Sequence, residues 1–271
     1  MEGMFVFLFA ASALAVDIEA RLDLAAHPVP VGAPSVVVHA PEGFQPEGAT
    51  VVLYLHGWEG CARAIVATGP VPCLDGGAPT AGWGLGARHD DAGTNSVLVV
   101  PQLAWLARSG NPGRFREPGF AAAWLAQLTA EVLGPQLGLE RIEDLVVVAH
   151  SGGYVTALAL LPALPVRDVV LLDALYGGGE RVAGWVAGGE GRRAVSVHTG
   201  HPGTTGQSQA LAARVAAVLG EERVAVDPPA LGAAIEDHRV VVTGTRWNHG
   251  AVPEKHLAEV LAALGGRISG G

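Results

Sequence analysis

The segment Asp144-Leu145-Val146-Val147-Val148-Ala149-His150-Ser151-Gly152-Gly153-Tyr154 holds the residue best suited to do chemistry. An apolar, β-branched run stops at Ser151. A helical pattern of Tyr154, Val155, Ala157, Leu158, Leu160 and Leu161 follows at once. This predicts a strand that turns sharply into a helix with a hydroxyl at the apex. Small residues are needed there because the apex backbone is strained and the strand and helix pass close together. Free N–H groups at the start of the helix favour negative charge developing beside them. A serine hydroxyl is a poor nucleophile unless a base takes its proton. Other reactive parts follow an order: His56-Gly57-Trp58 before the serine, Asp173 and His249 after it. An alcohol, a carboxylate and an imidazole are the groups of nucleophilic acyl chemistry. The competing reading of Ser151 is a helix cap in some other strand–turn–helix unit.

These parts matter only if secondary structure gathers them. Apolar runs predict strands over Thr50 to Leu55, Ser96 to Val100, Leu145 to Ala149, Asp168 to Leu172, Arg193 to His198 and Arg239 to Thr243. Such uninterrupted runs, rather than alternating ones, mean burial on both faces, as in a parallel sheet covered by helices. Helical patterns over Phe120 to Leu133, Tyr154 to Leu161, Gly206 to Leu219 and Pro253 to Leu264 separate most of them. The rhythm predicts an α/β fold with a mostly parallel, doubly wound sheet and right-handed crossovers. Residues 17–41 are expected to add antiparallel edge strands, with Ser35 to His39 the better candidate. Two long connections, Trp58 to Asn95 and Leu103 to Pro118, are rich in Gly, Pro and Arg and carry Trp58, Trp83 and Trp105. Both follow strand C-termini, where ligands bind in an open parallel sheet. They read either as walls of a substrate cleft or as tryptophans that cap the core.

The chain has 271 residues, 49% hydrophobic and 16% charged, which suits one large domain with a well-filled core. A formal net charge of −9 argues against a nucleic-acid partner. Met4 to Val16 is almost wholly apolar and contains the A-x-A site Ala13-Leu14-Ala15, so residues 1–15 read as a signal peptide. The run is too short to span a bilayer. The n-region Met1-Glu2-Gly3 carries no Lys or Arg, and translation from Met4 would remove only Glu2. Residues 16–266 then form the domain and residues 267–271 a flexible tail. Cys61 and Cys73, close together in a chain with an export signal, read as one disulfide worth about 3 kcal/mol. A secreted or periplasmic location follows; two free thiols in a cytoplasmic protein are the alternative. Their spacing does not suit zinc. His89-Asp90-Asp91 reads as a solvated loop. No phosphate-binding Gly-Lys-Ser motif and no dinucleotide fingerprint is present, so no cofactor is implied.

On His56-Gly57 after an early strand, Ala149-His150-Ser151-Gly152-Gly153 at the turn and Asn248-His249-Gly250 after the last strand, the chain resembles the α/β-hydrolase superfamily. The resemblance runs from about Ser35 to Leu264. It implies Ser151 as nucleophile, with Ala149 where the family pattern has Gly. It implies His249 as general base, a role an imidazole suits by titrating near neutral pH. Of the other histidines, His256 reads as a surface residue and His238 lies at the wrong sheet end. Alternation points His150 away from the nucleophile, while His198 and His201 lack the expected position in order. Asp173, ending its strand, is implied as the acid that orients the imidazole. Most members carry that acid one strand later; there this chain has His198-Thr199-Gly200-His201 and no carboxylate, and some members share the earlier position. Asp227 is the rival acid, and Asp173 could instead cap a helix. The resemblance places the oxyanion hole at the backbone N–H of Gly152 and that of Trp58 or Gly57. An ordinary strand-ending turn is the competing reading of His56-Gly57.

The sequence supports two functions. One is a serine hydrolase of the carboxylesterase type, cleaving a small-molecule or polymeric ester or amide through an acyl-serine. The short connection from Asp173 to Arg193 leaves no room for a large lid. The other is a catalytically inactive binding protein on the same fold. The acyl group, leaving group and oligomeric state are not legible.

Overall fold

The computed structural model describes residues 14–265. Most of the expected leader and all of the expected tail lie outside the described residues. Eleven strands are assigned among those residues: β1 (Val16–Ala20), β2 (Val36–Ala40), β3 (Thr50–Leu55), β4 (Val71–Pro72), β5 (Pro79–Thr80), β6 (Ser96–Pro101), β7 (Asp144–His150), β8 (Asp168–Leu172), β9 (Arg193–His198), β10 (Val224–Val226) and β11 (Val240–Gly244). The α-helices are α1 (Ala62–Val66), α2 (Leu85–Asp90), α3 (Phe120–Leu128), α4 (Gly134–Leu137), α5 (Tyr154–Leu160), α6 (Gly179–Ala187), α7 (Pro202–Leu219), α8 (Leu231–Asp237) and α9 (Val252–Gly265). Nine strands form one sheet in the order β1-β2-β6-β3-β7-β8-β9-β11-β10, and β4 and β5 make a small separate hairpin. From β6 to β10 every pairing is parallel; β1 with β2 and β2 with β6 are antiparallel. None of the helices among the described residues is long and apolar enough to cross a membrane.

Every residue of β2, β3, β6, β8 and β9 is buried. The sheet divides the core in two. Leu53, Leu55, Val147 and Leu171 face a layer holding Trp124, Ala157, Val182 and Leu211, so α3, α5, α6 and α7 cover that side. Val52, Tyr54, Val148 and Leu172 face a layer holding Ile65, Leu85, Ile235 and Leu257, so α1, α2, α8 and α9 cover the other. Each such aliphatic side chain, removed from water, contributes about 1.5–3 kcal/mol.

Register decides where the site forms. Leu55 pairs with Ala149, His150 with Leu172, Leu172 with Val197, and Thr243 with Val197. The parallel strands therefore end level with one another, and the chain leaves them at one rim through His56, Ser151, Asp173, Thr199 and Thr245. The opposite rim holds paired charges instead. Buried Asp168 accepts two bonds from Arg193, at 2.7 and 2.8 Å, and one from Arg167 at 2.6 Å. A buried charge is tolerated only when paired in this way.

The first long connection is not irregular throughout: it holds α1, β4, β5 and α2. The Cys61–Cys73 disulfide closes its first part, with Cα atoms 5.9 Å apart. Trp105, from the second connection, packs on that disulfide. Trp83 packs edge-on against His150, ring centroids 5.5 Å apart. Of the three loop tryptophans only Trp58 is exposed.

Candidate active site

The turn at Ser151 is a tight elbow. Ser151 has φ +54°, a left-handed conformation that is strained for a residue other than glycine. Helical turns begin at Ser151 itself and continue into α5. Two glycines make the elbow possible by close approach. A Cβ on Gly153 would stand 2.2 Å from the Leu55 carbonyl oxygen, and one on Gly57 would stand 2.6 Å from Ser151 Cβ. Neither space accepts a side chain. Ala149 is fully buried in β7, so the sheet accommodates its methyl group.

Asp173 leaves β8 with φ +46° and is 1% exposed. Four donors surround its carboxylate. Thr199 gives its N–H at 3.1 Å and its hydroxyl at 2.8 Å, and Thr204 gives its hydroxyl at 2.8 Å. His249 Nδ1 is the fourth, at 2.7 Å. Burial alone would raise the pKa of this carboxyl. The bonds from His249, Thr204 and Thr199 outweigh it and hold the group ionised, well below the usual carboxylate range. The segment after β9, which lacks an acid, thus supplies the threonines that hold one. Asp227 is occupied elsewhere: its Oδ1 accepts from Gly244 N at 2.7 Å.

His249 opens a single helical turn ahead of α9, capped by Asn248, whose Oδ1 accepts from Ala251 N at 3.1 Å. With Nδ1 on Asp173, its Nε2 has no hydrogen-bond partner among the described residues, and the side chain is 43% exposed. His150, next in chain to Ser151, holds this loop against the elbow. Its Nε2 donates to the His249 carbonyl oxygen at 3.1 Å, and the two rings lie 4.6 Å apart, tilted by 32°. Burial, and secondarily the neighbouring His249, push His150 down to about 3, so it is neutral. Strand alternation alone gave no sign of this contact. Ser151 Oγ makes no hydrogen bond among the described residues. Such bonds in unliganded sites are often formed only when substrate binds.

His56 is 2% exposed and fixes the loop after β3. Its Nδ1 donates to the Gly57 carbonyl oxygen at 2.8 Å, and its Nε2 accepts from Leu103 N at 3.0 Å. Burial lowers its pKa to about 4, which keeps that one tautomer neutral. In a trans peptide the C=O and the following N–H point opposite ways. Holding the Gly57 carbonyl on His56 therefore turns the Trp58 N–H away from His56. Gln102, also buried, ties the same loop down: it accepts from Ala62 N at 3.0 Å and donates to Gly60 O at 3.2 Å. The Trp58 indole lies on the elbow, since a Cβ on Gly152 would stand 2.7 Å from its Cδ1 and Nε1.

The remaining histidines are engaged elsewhere. His198 Nδ1 meets Thr205 Oγ1 at 3.1 Å, and His201 caps α7 by accepting from Gly203 N. His238 Nδ1 bonds Ala234 O, and His256 is half-buried rather than a free surface residue, bonding Thr245 at 2.9 Å. His89 and Asp90 fall in α2, not a loop, and His89 is buried. The structure brings Asp173 and His249 into contact at the rim that also carries the Ser151 elbow and the His56-Gly57-Trp58 turn. Sequence reasoning set His150 aside and did not single out Thr199, Thr204 or Gln102 as partners of these residues.

No protein-family model matches the chain, and no curated protein matches it in sequence. Solved structures are similar in fold. One is a mutant of the feruloyl esterase module from Clostridium thermocellum complexed with sinapinate, with TM-score 0.54 and 11% identity over 93% of this chain and 95% of that one. Another is an S-formylglutathione hydrolase from Agrobacterium tumefaciens, with TM-score 0.50 and 12% identity over the same shares. At such identities the likeness speaks for architecture alone. The chain adopts the α/β-hydrolase fold.

Proposed function

We propose that this protein is a serine hydrolase that cleaves a carboxylic ester through an acyl-serine intermediate. The observation that carries the reading is the buried Asp173 carboxylate gripping His249 Nδ1 while Nε2 stays open beside the elbow that presents Ser151. In this reading Ser151 Oγ attacks the carbonyl carbon and His249 Nε2 takes its proton. Asp173 keeps Nδ1 protonated and stabilises the imidazolium that forms. The N–H groups of Gly152 and Trp58 receive the negative oxygen of the tetrahedral intermediate. His249 then protonates the leaving alcohol, the C–O bond breaks, and water repeats the sequence to free the acid.

Of the fold neighbours named above, one is by name an esterase and the other a hydrolase of S-formylglutathione, a thioester; neither is named for an amide, which favours an ester here. No cofactor enters the cycle. The Cys61–Cys73 disulfide favours an oxidising compartment, so the protein acts outside the cytoplasm. The test is turnover of short- and long-chain p-nitrophenyl esters and of peptide amides by the purified protein. Ester turnover, lost by a factor on the order of 10^4 or more in Ser151→Ala, supports the reading. Folded protein that turns over none of them points to the inactive binding protein.

A further inference from the structure

Among the described residues three Trp, Tyr or Phe side chains are exposed: Trp58, Tyr176 and Trp247. Trp58 follows Gly57, Tyr176 lies three residues after Asp173, and Trp247 lies two before His249. Single exposed apolar residues are ordinary, and they scatter. These three do not, since each sits beside a residue of the proposed reaction centre.

The three are not equivalent. The Trp247 ring is already occupied, with the Arg246 guanidinium at 5.2 Å and the Lys255 ammonium at 5.1 Å from its centroid. Of the other two, one lies beside the elbow and one beside His249. The Trp58 indole, 56% exposed, lies against Gly152 on one side of the nucleophile. Tyr176, 38% exposed, stands edge-on to His249 with centroids 6.4 Å apart. The Tyr154 and His201 rings each lie 6.0 Å from that of Tyr176. Both Trp58 and Tyr176 are amphipathic rings with one side wet and the other packed, which is how aromatic binding surfaces are built. The Trp58 backbone is fixed through Glu59, whose N–H donates to Ala107 O at 2.9 Å and whose φ is +56°. A strained, tied loop that leaves a large indole in water is difficult to explain as packing.

We infer that Trp58 and Tyr176 form an aryl-binding subsite, and that the preferred ester carries a planar aromatic ring next to the bond that is cleaved. This rests on the serine hydrolase reading. The ring could belong to the acid or to the alcohol, and matched substrates tell the two apart. Benzyl acetate against cyclohexylmethyl acetate places the ring on the alcohol. Methyl 3-phenylpropanoate against methyl 3-cyclohexylpropanoate places it on the acid. Each pair keeps ring size and ester reactivity nearly constant and changes only the π face.

The expected result is an aryl-to-cyclohexyl ratio of kcat/KM of about tenfold in at least one pair. That ratio falls by about three- to tenfold in Tyr176→Leu and in Trp58→Leu, the range expected for one aromatic contact. Tyr176→Phe, which keeps the ring, keeps the ratio. A ratio within about twofold of unity in both pairs, or one that neither leucine variant moves, overturns the subsite while leaving the hydrolase reading intact. Protein that reacts with a fluorophosphonate yet turns over none of the four esters overturns it as well. Neither labelling nor turnover defeats both readings.

Discussion

Two imidazole–carboxylate pairs close at the same distance, 2.7 Å, at different places in the fold: His249 with Asp173, and His39 with Asp17. They are opposites in burial. At the rim the acid is buried and the histidine is 43% exposed, with one nitrogen open. At the sheet edge the histidine is buried and the acids are exposed. Both His39 nitrogens are taken, Nδ1 by Asp17 of β1 and Nε2 by Asp90 of α2, the second at 2.8 Å. The first arrangement can pass a proton to a substrate. The second can only hold β1, β2 and α2 together. An identical contact therefore says little about function until the second nitrogen is accounted for.

The sharpest way to break this comparison is to neutralise each acid in turn. Asp173→Asn should lower kcat by about 10^4, as expected when an imidazole loses its tautomer control. Asp17→Asn should leave ester turnover within about twofold, because an exposed partner far from the reaction centre affects only stability. Equal losses of activity in the two variants would erase the distinction.

A smaller effect separates the pairs by pH. Burial works against charge on His39, yet its bonds to Asp17 and Asp90 outweigh it and raise its pKa above 6.5. The stability this gives is complete below the unfolded value of about 6.5 and is lost as pH rises through the folded value. Urea unfolding from pH 6 to 9 should show that decline, and His39→Asn should flatten it. The buried neutral His56, His89 and His150 act with the other sign. Burial lowers them to about 4, 3 and 3, so they withdraw stability as pH falls from about 6.5. An acid limb that begins well above that value would contradict this assignment.

The smallest effect concerns His150. Replacing it with Phe keeps a ring beside His249 but removes the bond to the His249 carbonyl. Loss of one such bond corresponds to about three- to tenfold in kcat, with KM little changed. His150→Gln, which keeps a donor, should recover part of the loss. Variants indistinguishable from the native protein would make His150 mere core filling.

The sheet was legible where burial on both faces makes unbroken β-branched runs. Thr50–Leu55, Asp168–Leu172 and Arg193–His198 are strands over those residues. Helix α6 escaped because Gly179 and Gly184 dilute its apolar pattern and it is only nine residues long. Helix α7 begins four residues earlier than its apolar pattern, at Pro202, because its first turn is polar and capped by His201. Strand β10 is three residues long at a sheet edge, too short for a periodic signal. At the rim, the residue types and their order at strand ends pointed to Ser151, Asp173 and His249. The groups that hold them were not legible. Thr199, Thr204, His150 and Gln102 act through hydrogen bonds between segments distant in sequence, and only register brings those segments together.

The most direct measurement is covalent labelling by a fluorophosphonate, with the modified residue located by mass spectrometry. This account predicts one adduct on Ser151, abolished in Ser151→Ala and slowed at least about a hundredfold in His249→Ala, where the hydroxyl has lost its base. Labelling that ignores His249, or that falls on another residue while Ser151 stays untouched, would contradict it.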